Sequence, residues 1–370
     1  MPDLTKVSGV VEDTIEAIDE VAWDDVALIT GQTKPAVIAT RWMGGGRLGY
    51  IFTTTASNGL NGWGDGSGLD GAGSRGGYIV DVGNGAVNSV AYGRSGPDPV
   101  SDPPRWIFGL DLKTGTKGGI CYINSGSGID GAGRPYYATA SNWTSASVPD
   151  MADGIQGRQG VAYGNDIWMG AGKELNVSGD YQSFYRSTNY GASWGRLAES
   201  NDENDEAMAV CYKGTGNIWM AAHGKSIWKS TDNGANWSRI FEPDTAIWNC
   251  IAYDGTSRWM IAGGGGDAWY SDNDGTDWVD QSSRMGTSKN IFGLVYMGGA
   301  VNRWIVVGQD GTGKSQTNLA IDEDEDNWDT ITALDSTTMN AIATDHTTAI
   351  AVGQSGRIWA STNGTSWDLG

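Results

Sequence analysis

Cysteine is almost missing from this chain. There are three in 370 residues, Cys121, Cys211 and Cys250, and no C-x-x-C pair. That spacing reads as isolated reduced thiols in strands. Histidine is scarcer still. His223 and His346 stand alone, with no second His or Cys at ligand spacing, which argues against a zinc site. No apolar run reaches the roughly 18 residues that a membrane helix needs. The start, Met1-Pro2-Asp3-Leu4-Thr5, lacks the basic and apolar regions of a signal peptide. Positive charge is short: 24 Lys and Arg stand against 44 Asp and Glu, a net charge of −20. This balance argues against nucleic acid and anionic membranes as partners, and favours a basic partner surface or a salty medium. Leu-rich helical periodicity is nearly absent. No Ser/His/Asp arrangement is visible.

What is abundant is glycine and tryptophan. Gly numbers 57, about twice the usual ~7%. Trp numbers 18. Both concentrate in a phrase that returns. Ser230-Thr231-Asp232-Asn233-Gly234-Ala235-Asn236-Trp237 recurs as Ser187-Thr188-Asn189-Tyr190-Gly191-Ala192-Ser193-Trp194 and as Ser271-Asp272-Asn273-Asp274-Gly275-Thr276-Asp277-Trp278. A shortened copy, Ser361-Thr362-Asn363-Gly364-Thr365-Ser366-Trp367, nearly ends the chain. The pattern is S-x-[DN]-x-G-x-x-W. Ser and Asp/Asn side chains bond to nearby backbone and favour tight turns. Gly supplies the positive φ that such a turn needs. The Trp then pins the turn to the body of the protein.

Apolar strands repeat around each phrase. Just before it come Phe184-Tyr185-Arg186, Ile227-Trp228-Lys229, Ala268-Trp269-Tyr270 and Ile358-Trp359-Ala360. Further upstream stand Ile167-Trp168-Met169, Ile218-Trp219-Met220, Arg258-Trp259-Met260 and Arg303-Trp304-Ile305. Upstream again are Val90-Ala91-Tyr92, Val161-Ala162-Tyr163, Ile251-Ala252-Tyr253 and Leu294-Val295-Tyr296. A more polar fourth strand follows each Trp. The unit is a four-stranded antiparallel meander with Gly-rich hairpins. Phrase-ending Trp residues fall at Trp63, Trp143, Trp194, Trp237, Trp278, Trp328 and Trp367. Four-stranded units at about 40–50 residues predict an all-β, seven-bladed β-propeller. The first two units are degenerate, so six or eight blades also fit the spacing.

The phrase resembles the Asp-box, or bacterial neuraminidase repeat. It is found in sialidase-type propellers and in propellers similar to the photosystem II stability and assembly factor. The resemblance covers residues 160–370 well and 24–159 loosely. It implies a structural turn at the outer edge of each blade, built here from Ser187, Asn189, Gly191, Trp194, Ser230, Asp232, Gly234, Trp237, Ser271, Asn273, Gly275, Trp278, Trp328, Ser361, Asn363, Gly364 and Trp367. It does not imply an activity.

Two segments stand outside the units. Residues 1–22 precede a propeller domain expected over 23–370. Within them Val11, Ile15, Ile18 and Ala22 sit at helical spacing, which leaves a short acidic helix or a strand leading into Trp23. The last unit reaches Trp367 and the sequence ends at Gly370. Three residues are fewer than the 5–6 of an ordinary strand. Another segment is therefore expected to complete the last blade, either Lys6–Val11 or the stretch around Ala22–Ile29; the alternative is an open edge or one covered by a neighbouring subunit. The second outlying feature is a duplicated glycine-rich insert, Gly66–Gly73 and Gly126–Gly133, which reads as long loops on one face.

Several matches are deceptive. Gly308-Gln309-Asp310-Gly311-Thr312-Gly313-Lys314-Ser315 fits the G-x-x-x-x-G-K-S phosphate loop. The repeat register instead aligns it with Gly353-Gln354-Ser355-Gly356, a hairpin between the second and third strands, and no nucleotide binding is expected. Gly44–Gly49 fits G-x-G-x-x-G at a similar hairpin. Asp322-Glu323-Asp324-Glu325-Asp326 resembles the start of a calcium loop, but Asn327 replaces the required Gly and Ala333 the required Glu. It reads as a solvated acidic turn.

The expectation is a protein without catalytic, cofactor or metal residues. The sialidase resemblance would imply an arginine cluster and a tyrosine nucleophile aided by a glutamate, but the Phe/Tyr-Arg-Ile-Pro signature is absent and glutamate is scarce. Fold alone does not carry function. Propellers similar to the photosynthetic factor are common among phage structural proteins. That resemblance implies a structural or receptor-binding component of a virus particle, such as a phage tail or fibre, contacting protein or glycan. It would be virion-located and part of a homo- or hetero-oligomeric assembly. The alternatives are a cytoplasmic assembly-factor-like scaffold and, less in keeping with the residues, a sialidase-like glycoside hydrolase.

Overall fold

The computed structural model describes residues 42–45, 50–54, 78–79, 87–97, 105–110, 119–124, 144–145, 159–172, 184–197, 206–243, 247–318, 321, 327–354 and 357–369. Their regular structure is almost entirely antiparallel β. Three strands, β1 (Trp42–Gly45), β2 (Tyr50–Thr54) and β3 (Tyr78–Ile79), make the first sheet. Six four-stranded sheets follow in chain order. The second sheet is β4 (Val87–Gly93), β5 (Arg105–Leu110), β6 (Gly119–Asn124) and β7 (Thr144–Ser145). The third is β8 (Val161–Gly164), β9 (Ile167–Ala171), β10 (Phe184–Ser187) and β11 (Gly195–Arg196). The fourth is β12 (Ala207–Tyr212), β13 (Trp219–His223), β14 (Ser226–Ser230) and β15 (Ser238–Phe241). The fifth is β16 (Trp248–Tyr253), β17 (Trp259–Gly263), β18 (Ala268–Ser271) and β19 (Val279–Asp280). A one-turn helix, α1 (Ser282–Met285), leads on to the sixth. That sheet is β20 (Ile291–Met297), β21 (Arg303–Gly308), β22 (Gly313–Thr317) and β23 (Asp329–Thr330). The seventh is β24 (Met339–Thr344), β25 (Ala349–Gly353), β26 (Ile358–Ser361) and β27 (Asp368–Leu369).

The strands run as meanders, and the first strand of each sheet touches the first strand of the next, from β1 through β4, β8, β12, β16 and β20 to β24. These first strands surround an axis. Hydrophobic residues gather between consecutive sheets rather than in one centre. Met260 and Ala262 of β17 pack toward the sixth sheet with Leu294, Trp304 and Val306. Their neighbours Trp259 and Ile261 pack the other way, against Met220, Ala222 and Ile227 of the fourth. A second strand is thus buried on both faces, as in β9, β13 and β17, where every residue is buried. This is why Trp259-Met260-Ile261-Ala262 reads as an unbroken apolar run instead of an alternation.

Hairpins between second and third strands rest on a close backbone contact. Gly264, Gln309 and Gln354 each donate a backbone N–H, at 2.9 Å, to the carbonyls of Ile247, Asn290 and Thr338. A Cβ on Gly308 would lie 2.1 Å from the Asn290 carbonyl oxygen. Glycine is needed there for backbone approach. Lys314 and Ser315 then continue in β22, an antiparallel strand where a phosphate loop would begin a helix.

The last sheet has its own outer strand. Asp368 and Leu369 pair with Ala360 and Trp359. Two residues suffice for an outer strand here, as they do in β7, β11, β19 and β23. The proposed closing segments within 1–29, both glycine-rich inserts, residues 46–49, Trp63, Trp143 and the acidic run 322–326 lie outside the described residues.

Candidate functional site

Each recurring phrase forms the turn between third and fourth strands, and its bonds are local. Ser187, Ser230 and Ser271 accept the N–H of Gly191, Gly234 and Gly275 at 2.8, 2.9 and 2.8 Å. Ser361 does the same for Gly364 at 2.8 Å. Asn189, Asp232 and Asn273 accept the backbone N–H four residues on, at 3.0, 2.9 and 2.9 Å. Asn363 accepts that of Ser366 at 2.8 Å. The glycines hold φ between 73° and 83°, a region open to glycine at little cost. Trp194, Trp328 and Trp367 are buried. Trp237 and Trp278 are half-buried and stack on Phe184 and Phe241 of the preceding sheets, with ring centroids 4.3 and 5.3 Å apart. The sixth sheet departs from the pattern. By register Gln316 takes the serine's place opposite Trp304, and its Oε1 accepts the Thr317 N–H at 2.8 Å.

These turns also fasten one sheet to the next. The residue before the glycine, Tyr190, Asn233 or Asp274, is held at positive φ. Its carbonyl accepts a cation from the preceding sheet. The donors are Arg105 at 2.5 Å, Arg186 at 3.0 Å and Lys229 at 2.6 Å.

On the same end of the sheets lies a feature that only the three-dimensional structure assembles. Tyr92, Tyr163, Tyr212, Tyr253 and Tyr296 end successive first strands. Each stands directly across from a second-strand tryptophan: Trp106, Trp168, Trp219, Trp259 and Trp304. The paired ring centroids are 4.6 to 5.1 Å apart and tilted, the favourable geometry for aromatic pairs. In the last sheet Thr344 faces Ala349 instead. The other face of several rings is covered too. A Cβ on Gly93 or Gly164 would fall 2.3 Å from the ring of Tyr163 or Tyr212 in the next sheet. Lys213 Nζ lies 5.9 Å from the Tyr253 ring centroid.

Tyr163, Tyr212, Tyr253 and Tyr296 form a collar at the mouth of an axial cavity of about 590 Å³. Its walls are first-strand residues such as Val161, Val210, Ile251, Leu294 and Ala343, and His346 reaches it from an exposed hairpin. One side chain crosses the axis. Gln159 Nε2 donates to Leu294 O at 3.0 Å, and its Oε1 accepts the Ile251 N–H at 3.1 Å. The first strands are sheet edges, and Gln159 pairs with the backbone groups they turn inward.

Carboxylates surround the collar and are engaged. Asp166 accepts the Tyr163 hydroxyl at 2.9 Å. Burial and this carboxylate push the Tyr163 phenol well above its ordinary value. Burial, then Asp254 and Asp274, push Tyr253 up to about 12. Asp254 accepts the backbone N–H of Thr256, Ser257 and Arg258 at 2.8, 2.9 and 3.0 Å and the Asn318 amide at 2.8 Å. Burial raises its pKa, but these bonds outweigh it and the net shift is downward.

Ion pairs on this end share an asymmetry. Arg258 bonds Asp272 at 2.7 Å, with the arginine 8% exposed and the aspartate 47%. Arg303 and Asp329, at 3.4 Å, are 16% and 68% exposed. Arg94–Asp166 and Lys213–Asp274 lean the same way. In every one of these pairs the base lies deeper and the acid faces solvent. Among the described residues no group of three or more His, Cys, Asp or Glu side chains is placed to hold a metal ion.

No protein-family model matches this chain, and no curated protein matches it. Solved structures do. YCF48 from Cyanidioschyzon merolae is 14% identical with a TM-score of 0.53, over 77% of this chain and 85% of that one. The GH74 enzyme of Niastella koreensis is 13% identical with a TM-score of 0.57, over 87% of this chain and 51% of that one. This chain therefore spans about half of that enzyme's length. The WD40 β-propeller domain of Doa1 is 12% identical with a TM-score of 0.50, over 90% of each chain. At these identities the likeness shows the fold, a β-propeller, and nothing of the chemistry.

Proposed function

We propose that this chain is a seven-bladed Asp-box propeller that works without chemistry, as a scaffold that binds a macromolecular partner at its tyrosine-collared end. The carrying observation is the use of polar groups there. Asp254, Asp272 and Asp274 are bound to backbone amides, to Arg258, to Lys213 and to Trp259 Nε1. A glycoside hydrolase needs two carboxylates free to act as acid and base or nucleophile. Here the carboxylates hold turns and sheets together. Burial also raises the Tyr163, Tyr253 and Tyr296 phenols above their ordinary values, which suits recognition rather than nucleophilic attack.

Its setting is a virus particle, as a structural or receptor-binding part that contacts protein or glycan. The Gly- and Trp-rich all-β composition and the net charge of −20 support this reading. A second reading, an assembly-factor-like scaffold, has its own support. One solved relative in fold is YCF48 bound to a D1 peptide, 12% identical with a TM-score of 0.51 over 76% of this chain and 81% of that one. Incubation with fluorogenic sialosides and with xyloglucan oligosaccharides tests the central claim. No turnover is expected. Hydrolysis of either substrate, abolished by a single Asp, Glu or Tyr substitution at the collar, would overturn it. Recovery of the protein in purified virus particles is the outcome expected for the particle setting.

A further inference from the structure

We propose that the axial cavity binds an extended peptide segment carrying one aliphatic side chain flanked by lysines or arginines. This rests on the non-enzymatic binding role above and names its ligand. The cavity is large enough for a buried side chain with its backbone, and the aliphatic residues that line it with surface still exposed are Val90, Ala162, Ala252, Ala343 and Val352. Pockets of a few hundred Å³ with apolar walls and a few placed polar groups are the usual form of a binding site.

The chemistry of the walls is shown by an occupant the chain supplies itself. Gln159 places a carboxamide on the axis, and it is bonded as a peptide group would be. It donates to the Leu294 carbonyl at 3.0 Å and accepts from the Ile251 N–H at 3.1 Å. The first strands of the six four-stranded sheets are edges that line that axis. An edge recognises an extended chain through alternating donors and acceptors. A ligand with its own amides therefore meets groups already shown to pair with one.

The aromatic collar argues against a sugar. Sugars stack on open ring faces. The rings of Tyr163 and Tyr212 lie between a tryptophan of their own sheet and a glycine of the preceding one. Tyr253 lies between Trp259 and the Lys213 ammonium. What remains available is ring edges and hydroxyls.

The charges beside the mouth set the flanks. Asp166 sits on the Tyr163 hydroxyl itself and is the exposed member of its pair with Arg94. Asp272 and Asp274 project past Arg258 and Lys213. Cations entering beside the collar meet carboxylates before they meet the deeper bases. Basic flanks therefore add attraction that salt screens.

The probe is the synthetic peptide acetyl-Lys-Lys-Leu-Lys-Lys-amide, titrated calorimetrically into the full chain. Saturable binding that weakens with added salt is expected. Replacing the central Leu by Ser should weaken it roughly tenfold or more, the worth of one buried aliphatic side chain. Replacing the four lysines by glutamates should abolish it. In the protein, Ala343→Trp fills the mouth from an exposed position and should abolish binding at an unchanged melting temperature. Equal affinity for the Leu and Ser peptides, or undiminished binding to a folded Ala343→Trp variant, would overturn the proposal. The peptide series decides the matter even if that variant is unstable. Wild-type protein that hydrolyses no glycoside and binds none of the peptides sinks this inference alone. Hydrolysis would sink the scaffold reading beneath it as well.

Discussion

Gln159 and Leu294 lie 135 residues apart in the chain, yet the glutamine amide donates to the leucine carbonyl at 3.0 Å across the axis. The same side chain accepts from Ile251, so one residue just before the third sheet ties together the fifth and sixth. Replacing it by leucine keeps the bulk and leaves both backbone groups without this partner. The expected loss is about 1–3 kcal/mol, read as a lower urea midpoint with an unchanged m-value. A variant as stable as the wild type would show that the bridge carries no weight.

The turn glycines should matter more than the turn serines. Gly191 has φ of +83°, and a Cβ there would lie 2.3 Å from Ile107 Cδ1 in the neighbouring sheet. Gly191→Ala combines left-handed strain with overpacking and is expected to cost about 2–4 kcal/mol. Ser187→Ala removes two hydrogen bonds, one accepted from the Gly191 N–H and one donated to Asn189 Oδ1, and should cost about 1–2 kcal/mol. Calorimetric melts of the two variants give the comparison. A larger loss for the serine would refute this order.

The phrase-ending tryptophans should not be equivalent. Trp328 is buried, whereas Trp237 is half-buried on Phe184. Trp328→Ala should cost about 3–5 kcal/mol, within the range for a core aromatic. Trp237→Ala should cost clearly less, because part of its surface is already in water. Equal shifts in melting temperature would count against the burial seen here.

Acid should loosen the turns in a defined window. Burial raises the Asp232 pKa, but hydrogen bonds from Asn236, Ser230 and Ala235 together outweigh it and bring it down to about 2. A carboxylate lowered in the folded state stabilises above its unfolded pKa, ~3.9, and that contribution is lost as pH falls toward about 2. Asp254 and Asp274 are shifted the same way. Stability should therefore drop between roughly pH 4 and pH 2. Asp232→Asn copies the residue at Asn189 and Asn273, and should flatten part of that acid limb. The check is a pair of pH-resolved melts. Identical acid limbs would remove Asp232 from the account.

Most of the meander was legible before any coordinates. The turn S-x-[DN]-x-G-x-x-W is written locally because its bonds join residues two to four apart, as between Ser230 and Gly234. The three apolar strands upstream were visible for the same reason. Two features misled or stayed hidden. Ordinary strand length is a poor guide to the outer strand, because two residues suffice where a neighbouring strand and a buried tryptophan such as Trp367 already hold the position. The departure in the sixth sheet was invisible because Gln316 reaches the serine's place only by register opposite Trp304.

The sequence by itself determined the repeating unit: strand, hairpin, strand, turn, with a tryptophan to pin it. Short-range geometry suffices for that, since turn chemistry and hairpin pairing act over a few residues. Tertiary structure alone decided what the units make together. The repeated tyrosines at 163, 212, 253 and 296 could be read as strand ends, but nothing local says that they meet around one mouth. Nor does any pattern say that Gln159 spans the axis, or that Arg258 lies beneath Asp272 so that the acid faces outward. Those relations depend on how twisted sheets stack, and stacking is set by side chains many residues apart filling the space between one sheet and the next.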